Sequence, residues 1–201
     1  LKSDNRGRSW RSIASNLPER HLLWRVVQDH VKPGLLFAGT EFGLYISLDG
    51  GQQWARFKEN LPRVAVHDLA IHPTENDLII ATHGRGIYII DDITAIRSLT
   101  AEILESNVAV LPSRPSPMVL AGIEDWFGSD DEFVGRNPDE AASINYWLSR
   151  RHLFGDLKIE VYNVLGQRVA MIVDVDQTPG KYIVEWNGRD AGGKDLASGI
   201  Y

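Results

Sequence analysis

"LLFAGTEFGLYISLDGGQQW", Leu35 to Trp54, sets two β-rich runs around the turn Thr40 to Gly43 and closes on an acid, a glycine pair and a tryptophan. Most of it recurs. Phe37 to Asp49 lies over "IATHGRGIYIIDD", Ile80 to Asp92, with Ala38/Ala81, Gly43/Gly86, Tyr45/Tyr88, Ile46/Ile89 and Asp49/Asp92 each 43 positions apart. A second register agrees within one residue. "SWRSIASNLP" (Ser9 to Pro18) lies over "QWARFKENLP" (Gln53 to Pro62), where Trp10/Trp54 and the two Asn-Leu-Pro triplets are 44 apart. Self-similarity at such a period marks a repeat architecture. Each unit divides into short strands, "WRVVQ", "GLLFAGT", "GLYISLD" and "QWARFKE", separated by Pro33-Gly34, Phe42-Gly43 and Gly50-Gly51. Four strands per repeat predict an all-β propeller blade rather than a helical solenoid, because β-branched and aromatic runs broken by glycine carry no helical-period stripe.

The hairpin "SLDGGQQW" resembles the Asp-box of bacterial neuraminidase (BNR) repeats, Ser/Thr-x-Asp-x-Gly-x-x-Trp, with Ser47, Asp49, Gly51 and Trp54 at the motif positions. "SDNRGRSW" resembles a second copy, with Ser3, Gly7 and Trp10 in place and Asn5 where the acid belongs. The third unit runs into "IIDDIT" and has lost its box. With its flanking strands the pattern is similar to sortilin-like and xyloglucanase-like propellers over residues 1–99, which implies two to three closing blades of a longer propeller. Asp-boxes in those families lie on the periphery, away from catalytic centres. Asp49 is therefore expected to hold its own turn, accepting backbone N–H groups as an Asx-turn does while glycines supply positive φ. Trp54 is expected to bury its ring.

If the box joins the third and fourth strands, the turns between the second and third emerge at the opposite end. Those turns are "TEFG" (Thr40 to Gly43) and "THGRG" (Thr82 to Gly86), so Glu41, Phe42, His83 and Arg85 are the candidate ligand-binding residues. Their alternative role is to bond the next blade.

After "AIRSL" the character changes, and residues 100–139 are expected to be a connector, rich in Pro, Gly, Ser and acids over Leu111 to Glu140. The acids of "EDWFGSDDE" lack the alternating spacing of a calcium loop and read as a solvated acidic segment. Residues 140–201 predict a small β-sandwich: "AASINYWLS", then "LKIEVY" with strict alternation, the turn "VLGQ", "RVAMIV" returning and "GKYIVEW" as a third strand. The run "VYNVLGQRV…PGKYIVEWNGRDAGGKDLASGIY" resembles the Ig-like module of flagellar hook-capping proteins and C-terminal domains of secreted bacterial proteins, some of which are sorting domains for type IX secretion. "GRDAGG" lacks a phosphate loop's Gly-Lys-Ser/Thr ending, and Asp190 and Asp195 are expected to cap turns. The chain opens at Leu1 inside a motif and stops on a strand, so it is expected to be a piece of a longer protein.

With 201 residues, 43% hydrophobic and 24% charged, the chain can bury a core. A net charge of -6 without a Lys/Arg block argues against nucleic acid or an anionic membrane as partner. Cysteine is absent, which excludes disulfides, thiolate metal sites and a cysteine nucleophile. No stretch is apolar for long enough to span a membrane as a helix, and no signal-peptide pattern opens the chain. No serine elbow, zinc helix or phosphate loop occurs. The six histidines are scattered, and Glu41, Asp68, Asp91 and Asp92 form no pair that sequence can set across a cleft. No catalytic residue, metal or cofactor is expected. Two functions follow from the resemblances. The first is an exported or cell-surface bacterial propeller that binds a protein or glycan, its Ig-like module serving as spacer, anchor or address for the secretion machinery. The second is a secreted glycoside hydrolase whose catalytic carboxylates lie in blades absent from this sequence.

Overall fold

The computed structural model describes residues 1–58, 60–114, 143–149, 156–176, 182, 184 and 186–196. They form an all-β chain of small, open antiparallel sheets with two short helices. The chain divides into two compact units, residues 1–104 with 109–147, and residues 105–108 with 148–201.

In the first unit, β1 (Leu23–Gln28), β2 (Leu36–Thr40), β3 (Gly43–Ser47) and β4 (Ala55–Arg56) form a four-stranded antiparallel meander in chain order. A second meander follows with β5 (Val66–Ile71), β6 (Leu78–Thr82) and β7 (Ile87–Ile90). The repeat is visible in detail. β1 and β5 begin 43 residues apart, and each carries a pairing irregularity near its start, between Leu23 and Arg25 and between Val66 and Asp68. Such a bulge lets one extra residue pass while the following side chains keep their face. The register differs in one place from the sequence alignment. Ala38 pairs with Tyr45 and Ile80 pairs with Tyr88, so Ala38 corresponds to Ile80, not to Ala81. The cause is a turn one residue longer: Thr40 opposes Gly43 across two residues, whereas the Thr82 N–H and hydroxyl both donate to Gly86 O across three.

Alternation along β2 sorts the core. Leu35, Phe37, Leu44 and Leu61 pack with Val66, Leu69, Leu78, Ile80 and Ile93, joining the two sheets face to face. Leu36, Ala38, Tyr45 and Trp54 turn the other way and meet Ile13 and Leu17. Every residue of β2 is therefore buried, as expected of a strand covered on both faces. The sheets approach so closely that a Cβ added to Gly39 would lie 2.7 Å from Val66 O.

Two short helices follow β7, the second of them inside the 100–139 segment. Asp92 adopts φ 51°, and its carboxylate accepts the N–H and hydroxyl of Thr94, opening α1 (Thr94–Ser98). The second helix is α2 (Ala101–Glu105). α1 is held by Arg97, which donates to both carboxylate oxygens of Asp29 at 2.9 and 2.7 Å. Asp29 is 1% exposed. Burial alone would raise its pKa, but the Arg97 bonds, the Lys32 N–H and the adjacent positive charge hold it below the usual carboxylate value. β8 (Val108–Leu111) then pairs with β9 (Asn145–Leu148), so "NYWL" joins β8 rather than the expected sandwich. Residues 115–142, with the acidic "EDWFGSDDE", lie outside the described residues.

The second unit contains the hairpin of β10 (Leu157–Tyr162) and β11 (Arg168–Val175). Its turn is closed by Asn163 Oδ1, which accepts the N–H groups of Leu165 and Gln167 at 3.0 Å each. In the loop 187–196, Asp190 Oδ1 likewise accepts from Gly192 and Lys194 at 2.9 Å, while Asp195 pairs with Arg189 at 2.8 Å. Most of "GKYIVEW" and all of "SGIY" lie outside the described residues.

Candidate functional site

The Asp49 hairpin and its Ser3 counterpart lie at one end of the repeat. Asp49 Oδ1 accepts the Ser47 hydroxyl at 2.8 Å and the backbone N–H groups of Gln52 and Gln53 at 2.9 and 3.0 Å, while Ser47 Oγ accepts the Gly51 N–H at 2.8 Å. Partial burial pushes the Asp49 pKa up, and these hydrogen bonds outweigh it, so the carboxyl titrates below its ordinary value. A carboxylate so engaged is a weak base and a good turn anchor. The Ser3 hairpin repeats the pattern without a charge: Gly7 N–H donates to Ser3 Oγ at 2.7 Å and Ser9 N–H to Asn5 Oδ1 at 2.8 Å.

The two tryptophans of these hairpins part company. Trp54 is 5% exposed, and its indole N–H donates to Ile13 O at 2.7 Å. Asn16 grips the same residue from the preceding repeat, accepting its N–H at 2.8 Å and donating to its carbonyl at 2.9 Å. That clamp was legible only as one letter of the Asn-Leu-Pro match. Trp10 stands at the equivalent position 61% exposed, its indole N–H turned back to Gly7 O.

The opposite end gathers aromatic and basic side chains. Because Leu23 opposes Thr40 and Val66 opposes Thr82, the starts of β1 and β5 share this end with both turns. Trp24 and His67, equivalent bulge residues, contact across the sheets with ring centroids 4.5 Å apart, and His67 meets His83 at 5.1 Å. A second cluster surrounds Phe42, which lies 4.7 Å from His21 and carries the Arg63 guanidinium 5.0 Å over its ring. Arg25 pairs with Asp68 at 3.2 Å. Of the four residues singled out from sequence, His83 and Phe42 thus enter aromatic clusters. Glu41 and Arg85 stand exposed, and among the described residues their side chains make no hydrogen bond or ion pair. Trp24, His67, His21 and Arg63 were not foreseen, although Trp24 and His67 stand one repeat apart. The buried His21 Nδ1 atom has no hydrogen-bond partner among the described residues.

Asp92 and Asp68 are engaged by neighbours of their own. Asp92 accepts from Thr94 and from the Arg114 N–H, and burial, which would raise its pKa, is outweighed by these bonds. Asp68 pairs with Arg25 and accepts the Leu69 N–H. Among the described residues no three His, Asp or Glu side chains converge as metal ligands, and no helix is long and apolar enough to cross a membrane.

These features define an all-β repeat protein with a turn-anchored end and an aromatic, partly unpaired end. Compared with family models, curated proteins and solved structures, the chain finds no match.

Proposed function

We propose that residues 1–99 are blades of a BNR/Asp-box β-propeller, that an Ig-like module follows, and that the protein acts outside the bacterial cell by binding a glycan or protein at the end bearing Trp24, His67 and His83. Three features support the blade reading: the equal spacing of the two meanders, their face-to-face packing, and the acid-turn hairpin of matching hydrogen bonds. The observation that carries the binding reading is the row Trp24, His67, His83. Trp24 leaves 47% of its surface exposed beside two exposed imidazoles. Exposed ring faces stack on sugars or on aromatic and cationic side chains, and Arg85 and Glu41, whose side chains have no partner among the described residues, add donors and an acceptor at the same end.

The test is titration with neutral and acidic oligosaccharides and with peptide libraries, read by tryptophan fluorescence and by NMR of the His67 and His83 rings. Trp24→Ala and His83→Ala should each weaken a detected ligand at least tenfold. A ligand that binds both variants as tightly as the parent places recognition elsewhere and refutes this site. The spacer or secretion role of residues 140–201 is tested by fusing them to an unrelated exported reporter in a bacterium with type IX secretion; a reporter that stays in the periplasm removes the address reading.

A further inference from the structure

We propose that the turn 40–43 and strand β4 build a second binding site, for an oxyanion: a carboxylate, sulfate or phosphate group held by Arg56, His21 and Arg63 around Phe42. Two nitrogens carry the argument. Arg56 Nε and His21 Nδ1 are both buried and, among the described residues, neither has a hydrogen-bond partner. Withholding a guanidinium N–H from water without an acceptor is costly, so such a group ordinarily has one. Other half-buried arginines of the described chain do: Arg97 takes Asp29 at 2.7 Å and Arg114 takes Glu75 at 3.1 Å. Glu19 and Glu41, described acids close in sequence to His21 and Phe42, bond to none of the three bases.

The fold brings the three bases to one turn. Arg56 is the cross-strand partner of Tyr45, which follows Gly43 by two residues on the same face of the sheet. Its guanidinium crosses the turn where Gly43 has no side chain: a Cβ there would lie 3.4 Å from Arg56 Nε and 3.7 Å from Nη2. His21 lies against the same turn, its ring 4.7 Å from Phe42 and 6.2 Å from Tyr45. Arg63 rests over Phe42 at 5.0 Å. A guanidinium held on a ring face keeps its N–H donors free around its edge. Arg56 and Arg63 thus offer forked donors that match the oxygens of a carboxylate or a tetrahedral oxyanion, and His21 Nδ1 donates in its Nδ1–H tautomer or as imidazolium. A neighbouring repeat does not fill this place. Ile13 and Leu17, from the segment before β1, already lie against Tyr45 and Trp54. The contact of Phe42 with Arg63, moved back by the 43-residue period, falls on Arg20, so a like turn one repeat earlier would meet Arg20 rather than Arg56 or His21. The site shares no residue with the row Trp24, His67 and His83, and the two are tested separately.

The experiment is proton–nitrogen correlation NMR of the intact chain, following the Arg56 Nε–H, the Gly43 amide and the His21 ring. Sodium acetate, sodium sulfate and sodium glucuronate are added in turn at constant ionic strength made up with chloride, and glucose is the uncharged control. The parent should show saturable shifts at these three positions. Arg56→Gln breaks no described hydrogen bond, so it should keep the parent's circular dichroism spectrum and weaken binding about tenfold or more, the loss expected for a charge-assisted hydrogen bond. Arg56→Lys, nearer in size and charge, is the second variant should the first fail to fold, and it too should weaken binding because it lacks the fork. In chloride alone Arg56→Gln should melt no lower than the parent, whereas sulfate should raise the melting temperature of the parent and not of the variant. Glucuronate binding more tightly than acetate, with no response to glucose, supports the site and gives the anion to an acidic sugar; equal binding of the two supports it for a free anion. No saturable shift with any of the three salts overturns the proposal and leaves the two nitrogens to water. Shifts that chloride alone reproduces, or binding unchanged in both Arg56 variants, overturn it as well.

Discussion

Replacing Trp54 by alanine tests the packing of the acid-turn hairpin most directly, because the structure separates the ring from everything else that holds this residue. The Asn16 clamp bonds only the Trp54 backbone and survives the substitution. What is lost is the buried indole and its donation to Ile13 O. A tryptophan buries on the order of 200 Å², about 5 kcal/mol at about 25 cal/mol per Å² against an extended chain. Partial collapse of the site brings that to about 3–5 kcal/mol, with part of the sum coming from an Ile13 carbonyl left unpaired. In a unit of this size the melting temperature should fall by about 6–20 °C. Trp54→Phe keeps most of the apolar area and loses the hydrogen bond, and should cost about 1–2 kcal/mol. The internal control is Trp10→Ala, at the same motif position but largely exposed, where the change should stay within about 0.5 kcal/mol. Urea titrations followed by far-ultraviolet circular dichroism give all three values. Equal losses at Trp10 and Trp54 would refute the reasoning, because the motif and not the burial would then decide the cost.

Gly51→Ala should destabilise by about 2–4 kcal/mol in the same assay, since the position has φ 91° and a Cβ there would lie 2.6 Å from Ile13 Cβ. Arg97→Ala should cost about 3–5 kcal/mol by leaving the Asp29 carboxylate buried without its partner, measured by thermal melts at neutral pH. The same pair sets an acid response. The folded pKa of Asp29 lies below its ordinary value of 3.8, so its contribution is complete above that pH and is lost as pH falls through the lower, folded value. Melting temperature followed from pH 7 towards pH 2, in roughly half-unit steps, should therefore decline less steeply below about pH 4 in Asp29→Asn than in the parent, whatever the offset between them at pH 7. Parallel curves would assign the acid sensitivity to other groups.

Strands β1 to β7 could be anticipated from the sequence because each pairs with its chain neighbour, and nearest-neighbour meanders leave their trace in local alternation and turn residues. The acid turn was legible for the same reason, its hydrogen bonds closing within four residues. Helices α1 and α2 were not anticipated, being five residues each and too short to show a helical period. Contacts between distant residues were also hidden. Asp29 and Arg97 stand 68 positions apart, and Asn16 reaches Trp54 across 38. The site divided along this line. Phe42 and His83 were placed at this end by the topology of their turns, while the contact of Trp24 with His67 required knowing that two sheets stack in register, with equivalent bulges bringing the rings together. The different surroundings of Trp10 and Trp54 are likewise a matter of what packs beside them, which a motif does not encode.

The threonine closures of the two rim turns have a practical consequence. Thr40 Oγ1 donates to Gly43 O and Thr82 Oγ1 to Gly86 O, yet two residues lie between the first pair and three between the second. The clasp thus holds the strand ends while the number of residues outside it varies. Loop content is thereby uncoupled from sheet register, and variation at 41–42 and 83–85 can alter what the rim displays without shifting a single core side chain. Peptide grafts between these threonine–glycine pairs would turn the molecule into a display scaffold whose cargo is exchanged at the rim alone.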